Sequence, residues 1–163
     1  NGLLFPKEYS YGEDTSFFLS YVRFIKCLKF LSIVGYHYIC YEGANLSNKM
    51  HKTEHLLAFL NDSTSIIIGL DKENSSLQKE YLSSQIGLLK KSLISLYFYN
   101  YSRDYRLKLL GDVKNTSAKI LNENCNKTIS EHFFLNGLKY LSTNAIDKFL
   151  SIHFRFKNNH KGL

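Results

Sequence analysis

The stretch G-E-D-T-S-F-F-L-S-Y-V-R-F, Gly12 to Phe24, places two carboxylates behind a glycine and directly ahead of an apolar run. Phe17, Phe18, Tyr21, Val22, Ile25 and Leu28 recur at the three- and four-residue spacings of one helical face, so residues 14–30 read as an amphipathic helix. Glu13 and Asp14 stand at its start. Asp14 or Thr15 suits the N-cap, and acidic side chains there gain about 0.3–1 kcal/mol from the helix dipole. The same pair could equally stand at the rim of a site, one carboxylate serving as general base. A helix N-terminus keeps such a base ionised at neutral pH.

Around this stretch the chain changes character near residue 50. Ahead of it, LLF (residues 3–5) and FLSIVGYHYICY (residues 30–41) are apolar, β-branched or aromatic and read as short strands. EGANLSNK (42–49) has loop composition. Beyond it the pattern is helical: 51–60 and 66–70 as one interrupted stretch, 75–101 as a long helix, then 105–111, 117–122, 130–142 and 143–154. Asp112 to Thr116 and Asn122 to Asn126 read as turns, and the tail KNNHKGL as frayed. The expected domains are therefore 1–50 and a helical region, 51–163.

With 44% apolar and 15% aromatic residues the 163-residue chain can build a core, which excludes a disordered reading. No apolar run reaches the ~18–20 residues of a membrane span. Three cysteines without a C-x-x-C pair argue against a disulfide framework or a zinc site and fit a reducing compartment. Of the +7 net charge, +1 falls in residues 1–54 and +6 in residues 55–163. Such a surface attracts nucleic acid, anionic lipid or phosphorylated ligands and selects none of them. None of the six histidines shows ligand spacing with a carboxylate or thiol.

N-G-L-L-F-P-K-E-Y-S-Y-G-E-D-T-S-F-F-L-S-Y resembles the acceptor-side segment of inverting family-two glycosyltransferases, which often reads N-x-x-F-x-E-x-x-x-x-G-E-D-x-x-F before an aromatic helix. LSIVGYHYICYEGANLS (31–47) looks like that family's hydrophobic strand, its Tyr-x-Tyr pair and its S-x-S-type loop. Asn1, Phe5, Gly12, Glu13, Asp14, Phe17, Tyr36, Tyr38 and Ser47 fall in register. The resemblance implies a bacterial enzyme that moves a sugar from a nucleotide-sugar donor to a hydroxyl of a carbohydrate or lipid-linked acceptor. It makes Asp14 the base, has Glu13 orient the acceptor, and has Gly12, Phe17 and Tyr38 line the substrate site.

It also implies a fold: mainly α with a few short N-terminal strands, the C-terminal fragment of an α/β GT-A (Rossmann-like) enzyme. No Asp-x-Asp and no Gly-rich phosphate loop occur in the chain. The divalent metal (Mg or Mn) of the full-length enzyme would thus be held mostly by residues outside it, and the isolated chain would be inactive. The expected location is cytoplasmic, peripheral on the inner membrane face where basic helices meet anionic lipid, with no nucleic acid partner. The charge alone leaves a second reading, a basic helical module that binds nucleic acid or a protein without catalysis.

Overall fold

The structure of the protein is a computed structural model. It describes residues 4, 7, 11–22, 24–25, 50–69, 75–123 and 126–159, without the side chains of 75–77 and 155–159. Six helices follow in order: α1 (Glu13–Val22), α2 (Thr53–Ile68), α3 (Ser75–Phe98), α4 (Arg103–Asn122), α5 (Ile129–Tyr140) and α6 (Thr143–Asn159). None of them is long and apolar enough to cross a membrane.

This corrects the expected fold. Among the described residues every regular element is a helix, so the α/β GT-A (Rossmann-like) fragment is not what forms. Of LLF, only Leu4 is described, irregular and 77% exposed. The expected strand at 30–41, with Tyr36 and Tyr38, lies outside the described residues. The physical reason is that helices satisfy their own backbone hydrogen bonds, whereas a strand needs a partner at its edge. The buried apolar residues of α2 to α6 pack helix on helix.

Three helices make the centre. Thr53 Oγ1 donates to Ser95 Oγ at 3.1 Å, Ser63 Oγ to Gln85 Oε1 at 3.4 Å, and Gln78 Nε2 to the Ile67 carbonyl at 3.0 Å. Those pairs count up one helix and down the other, so α2 and α3 are antiparallel. Tyr105 donates to Glu54 Oε1 at 2.9 Å and Thr116 Oγ1 to Asn61 Oδ1 at 2.7 Å, so α2 and α4 run parallel. Leu60, Ile86, Leu89, Leu96, Leu110, Val113 and Ile120 fill the space between them, and Leu135, Leu138 and Ile146 extend it to α5 and α6.

Two expected breaks are continuous helix. Asn61–Ser65 (NDSTS) runs on within α2, because Ser63 and Thr64 are buried and Ser65 Oγ folds back onto the Asn61 carbonyl at 2.7 Å. The expected turn at Asp112–Thr116 lies inside α4, where Val113 and Thr116 face the core. Turn-like composition yields to tertiary burial at both places. α5 starts on a capping box: Glu131 N–H donates to Thr128 Oγ1 at 3.2 Å and Thr128 N–H to Glu131 Oε2 at 3.0 Å.

α6 is fixed by charge as well as packing. Asp147, side chain 7% exposed, accepts from Arg106 Nε and from the Tyr97 hydroxyl, both at 2.9 Å. Tyr97 is also stacked on Phe154 at 5.3 Å between ring centres. Burial pushes the Asp147 carboxyl up, but the bonds from Arg106 and Tyr97 and the arginine charges outweigh it and hold the group below its ordinary value.

Candidate functional site

α1 begins at Glu13, so the acidic pair occupies the first turn and neither Asp14 nor Thr15 is the N-cap. Ahead of it Gly12 adopts φ +70°, the left-handed region open to glycine. A second constraint acts on the same residue, since a Cβ there would stand 2.7–2.9 Å from the Phe59 ring. Gly12 therefore lets the chain turn into α1 while pressed against α2. Ser16 N–H then donates to the Gly12 carbonyl at 2.9 Å and starts the helix.

Asp14 is exposed, and its Oδ1 accepts from the Thr15 backbone N–H at 2.7 Å. Its Oδ2 receives no hydrogen bond from a described residue, so one carboxylate oxygen faces solvent at the positive end of the helix. Glu13 is half-buried beside it. Phe17 follows one turn on and is half-buried. The structure thus brings Gly12, Glu13, Asp14 and Phe17 together at one helix start, while Tyr38 lies outside the described residues.

The apolar face of α1 is not the expected one. Ser16 and Leu19 are buried, with Leu19 packed beside Ile66, Ile67 and Leu82. Phe18 and Tyr21 are each 50% exposed. The aromatic positions dominate the periodicity, but the narrow contact with α2 admits Leu19 and leaves the bulky rings outside. The helix also stops at Val22, with Phe24 and Ile25 N–H groups bonding back three residues.

Immediately before Gly12, Tyr11 lines a cavity of about 340 Å³ with Phe59, Tyr81, Ser84, Gln85 and Lys91. Tyr11 meets Phe59 edge-on at 5.5 Å between centres and His51 at 4.6 Å, and Lys91 Nζ sits 5.1 Å over its ring. Burial pushes the Tyr81 hydroxyl above its ordinary range, partly offset by hydrogen bonding to Ser63 and Gln85. Aromatic walls with a few fixed polar groups suit a ligand that carries both ring faces and hydroxyls. Asp14 is two residues past Gly12 and is not part of the lining itself.

Phe59, Tyr81, Gln85 and Lys91 were absent from the sequence-based candidates. They come from α2 and α3, and only the packing of those helices against the turn at Tyr11 brings them together. Nothing in their spacing marks them. Among the described residues no three His, Cys, Asp or Glu side chains converge as metal ligands. The residues here do not form a metal site, and no step assigned to this chain runs through one.

No family model, no curated protein and no solved structure matches the chain.

Proposed function

We propose that the chain supplies the acceptor side of an inverting glycosyltransferase, with Asp14 as the base. The observation that carries this reading is the glycine turn that sets the exposed Asp14 at a helix start three residues past Tyr11, which lines an aromatic and polar cavity. It accords with the family resemblance carried by G-E-D-x-x-F, Gly12 to Phe17.

In the proposed step an acceptor sugar rests against the Tyr11 and Phe59 rings, with Gln85 or Lys91 bonded to its hydroxyls. Asp14 takes the proton of the reacting hydroxyl as that oxygen bonds the anomeric carbon. The bond from that carbon to the nucleoside diphosphate breaks on the opposite face, so the configuration inverts and the diphosphate leaves with the electron pair. Glu13 holds the acceptor from the same turn. The donor is a nucleotide-sugar, and the acceptor is a carbohydrate or a lipid-linked sugar.

The test uses the gene product as its genome encodes it, assayed for nucleoside diphosphate release from a panel of nucleotide-sugars with sugar acceptors. Asp14→Asn is expected to lower turnover by about 10²–10⁴-fold, the usual share of a general base. Its unfolding free energy should fall by no more than about 1 kcal/mol, the helix-dipole gain of an exposed acid in the first turn. Undiminished turnover in Asp14→Asn would refute the assignment.

A further inference from the structure

A second cavity lies between the start of α4 and the first three turns of α6. It has a volume of about 490 Å³ and is lined by Arg103, Arg106, Asn144, Asp147, Lys148, Ser151 and Ile152. Its size falls within the ~300–1,000 Å³ of small-molecule pockets.

The charges in it are unequal. Three cations face one carboxylate, which leaves a net of +2 among the lining residues. Arg106 is spoken for: its guanidinium bonds Asp147 through Nε at 2.9 Å and Nη2 at 3.4 Å, and lies 5.5 Å over the Tyr97 ring. Arg103 is not. Its Nε is 3.9 Å from Asp147 Oδ2, its Nη2 donates to Asn144 Oδ1 at 3.0 Å, and its side chain remains 66% exposed. That use leaves most of the five guanidinium N–H donors open. Lys148 is exposed and makes no hydrogen bond or ion pair with a described residue. Asp104, the neighbouring acid on α4, is not in the lining.

These features have one reading in common. The Arg106–Asp147–Tyr97 network is a rigid floor, already satisfied. Arg103, in the first turn of α4, and Lys148, in the second turn of α6, stand above it as spare donors from two helices. We propose that this groove binds a phosphate group, as the monoester or diphosphate of a ligand. A phosphate monoester carries about −1.5 to −2 charges near neutral pH, which balances the net +2 of the lining. Its three oxygens match the planar fork of Arg103 and the point charge of Lys148. Ile152, at the mouth and 47% exposed, offers an apolar contact to whatever the phosphate is attached to. This inference uses other residues than the acidic pair and stands whether or not the chain serves in sugar transfer.

Two probes test it on the full chain at fixed ionic strength. Inorganic phosphate and pyrophosphate are titrated in, with backbone amide shifts read by NMR. Saturable shifts are expected at residues 103–106 and 144–151, and affinity should fall about tenfold in Arg103→Gln and again in Lys148→Gln. Both side chains are exposed, so thermal midpoints should remain unchanged and loss of binding is not loss of fold. Shifts that do not saturate, or equal affinity in both variants, overturn the proposal.

The second arm separates the sources of the phosphate. Vesicles of phosphatidylcholine with and without phosphatidic acid are sedimented with the protein. Binding that requires phosphatidic acid and disappears in both variants identifies a lipid headgroup. Saturable pyrophosphate binding without sedimentation identifies a soluble phosphorylated ligand. Sedimentation unaffected by either variant counts against the groove.

Discussion

Gly12 carries two constraints at once, and they can be separated. Its φ of +70° strains any other residue, and its missing Cβ makes room for Phe59. Gly12→Ala should therefore destabilise by about 2–3 kcal/mol, roughly 1–2 of it from the left-handed backbone and the rest from the ring contact. Thermal melts of Gly12→Ala, Phe59→Leu and the double variant give the coupling directly. A smaller ring neighbour should relieve part of the alanine penalty, so the two changes should be less than additive. Full additivity would show that the ring contact contributes nothing.

Thr64 tests the opposite kind of residue. It is fully buried in α2, and its Oγ1 finds no hydrogen-bond partner among the described residues. A buried orphan hydroxyl costs about 1–3 kcal/mol of lost solvation. Thr64→Val keeps the shape and removes the polar atom, so it should raise the unfolding free energy by about 1 kcal/mol in a denaturant titration. Destabilisation by the same amount would mean that the hydroxyl is satisfied in solution.

Helix boundaries are decided by partners more than by composition. α4 passes through G-D-V-K-N-T (Gly111–Thr116), a string of turn-forming types, without a break. Val113 and Thr116 are fully buried on its inner face, and Thr116 Oγ1 lies within hydrogen-bond distance of both the Asp112 carbonyl at 3.0 Å and Asn61 Oδ1 at 2.7 Å. Gly111 sits within this helix, and a Cβ there would meet nothing within 4 Å. Gly111→Ala should then stabilise the protein by about 0.5–1 kcal/mol through helix propensity alone. In a protein of this size that is a rise of about 2 °C in the thermal midpoint. A fall would indicate that α4 needs the flexibility of a glycine there.

The same logic accounts for α1. Its periodicity pointed to a stripe of aromatics, yet Leu19 is the apolar side chain it buries. Among the described residues α1 packs mainly on α2, and Phe18 and Tyr21 stay at the surface.

Across the whole molecule, stability should depend on pH through the groups that join the helices. Asp147 ties α6 to α3 and α4, and Glu54 ties α2 to Tyr101 and Tyr105. Burial raises both carboxyls, but the hydrogen bonds and neighbouring cations prevail, so both lie below their ordinary values of 3.8 and 4.5. A depressed folded value means that the contribution is complete above the unfolded value and disappears as pH falls through the folded one. The tyrosines behave in the opposite way. Burial and the facing carboxylates push Tyr97 well above 10.0 and Tyr101 up to about 12, so their contribution is complete below 10.0 and is lost as pH rises beyond it. Denaturation midpoints should therefore be level between about pH 5 and 9 and fall on both sides. Asp147→Asn should lower the plateau by about 2–3 kcal/mol, because Arg106 loses its charged partner, and should flatten the acid slope. An acid slope identical to wild type would show that other carboxylates set it.

Much of this architecture was legible in the chain alone. The existence of α3, α5 and α6 follows from local periodicity, which needs no partner to be read. So does the position of the acidic pair at a helix start, where a glycine precedes two acids and an apolar run. The unbroken course of α2 and α4, the face that α1 turns inward, and the helical cover over Leu60 and Leu110 were decided only by packing, because burial outweighs the few tenths of a kcal/mol per residue by which turn-forming types disfavour helix. The cavity of Tyr11, Phe59, Tyr81, Gln85 and Lys91 and the groove of Arg103, Arg106 and Lys148 also belong to the tertiary structure. Their members lie as far as 80 residues apart in the chain, and no local spacing can encode a meeting that exists only once the helices have packed.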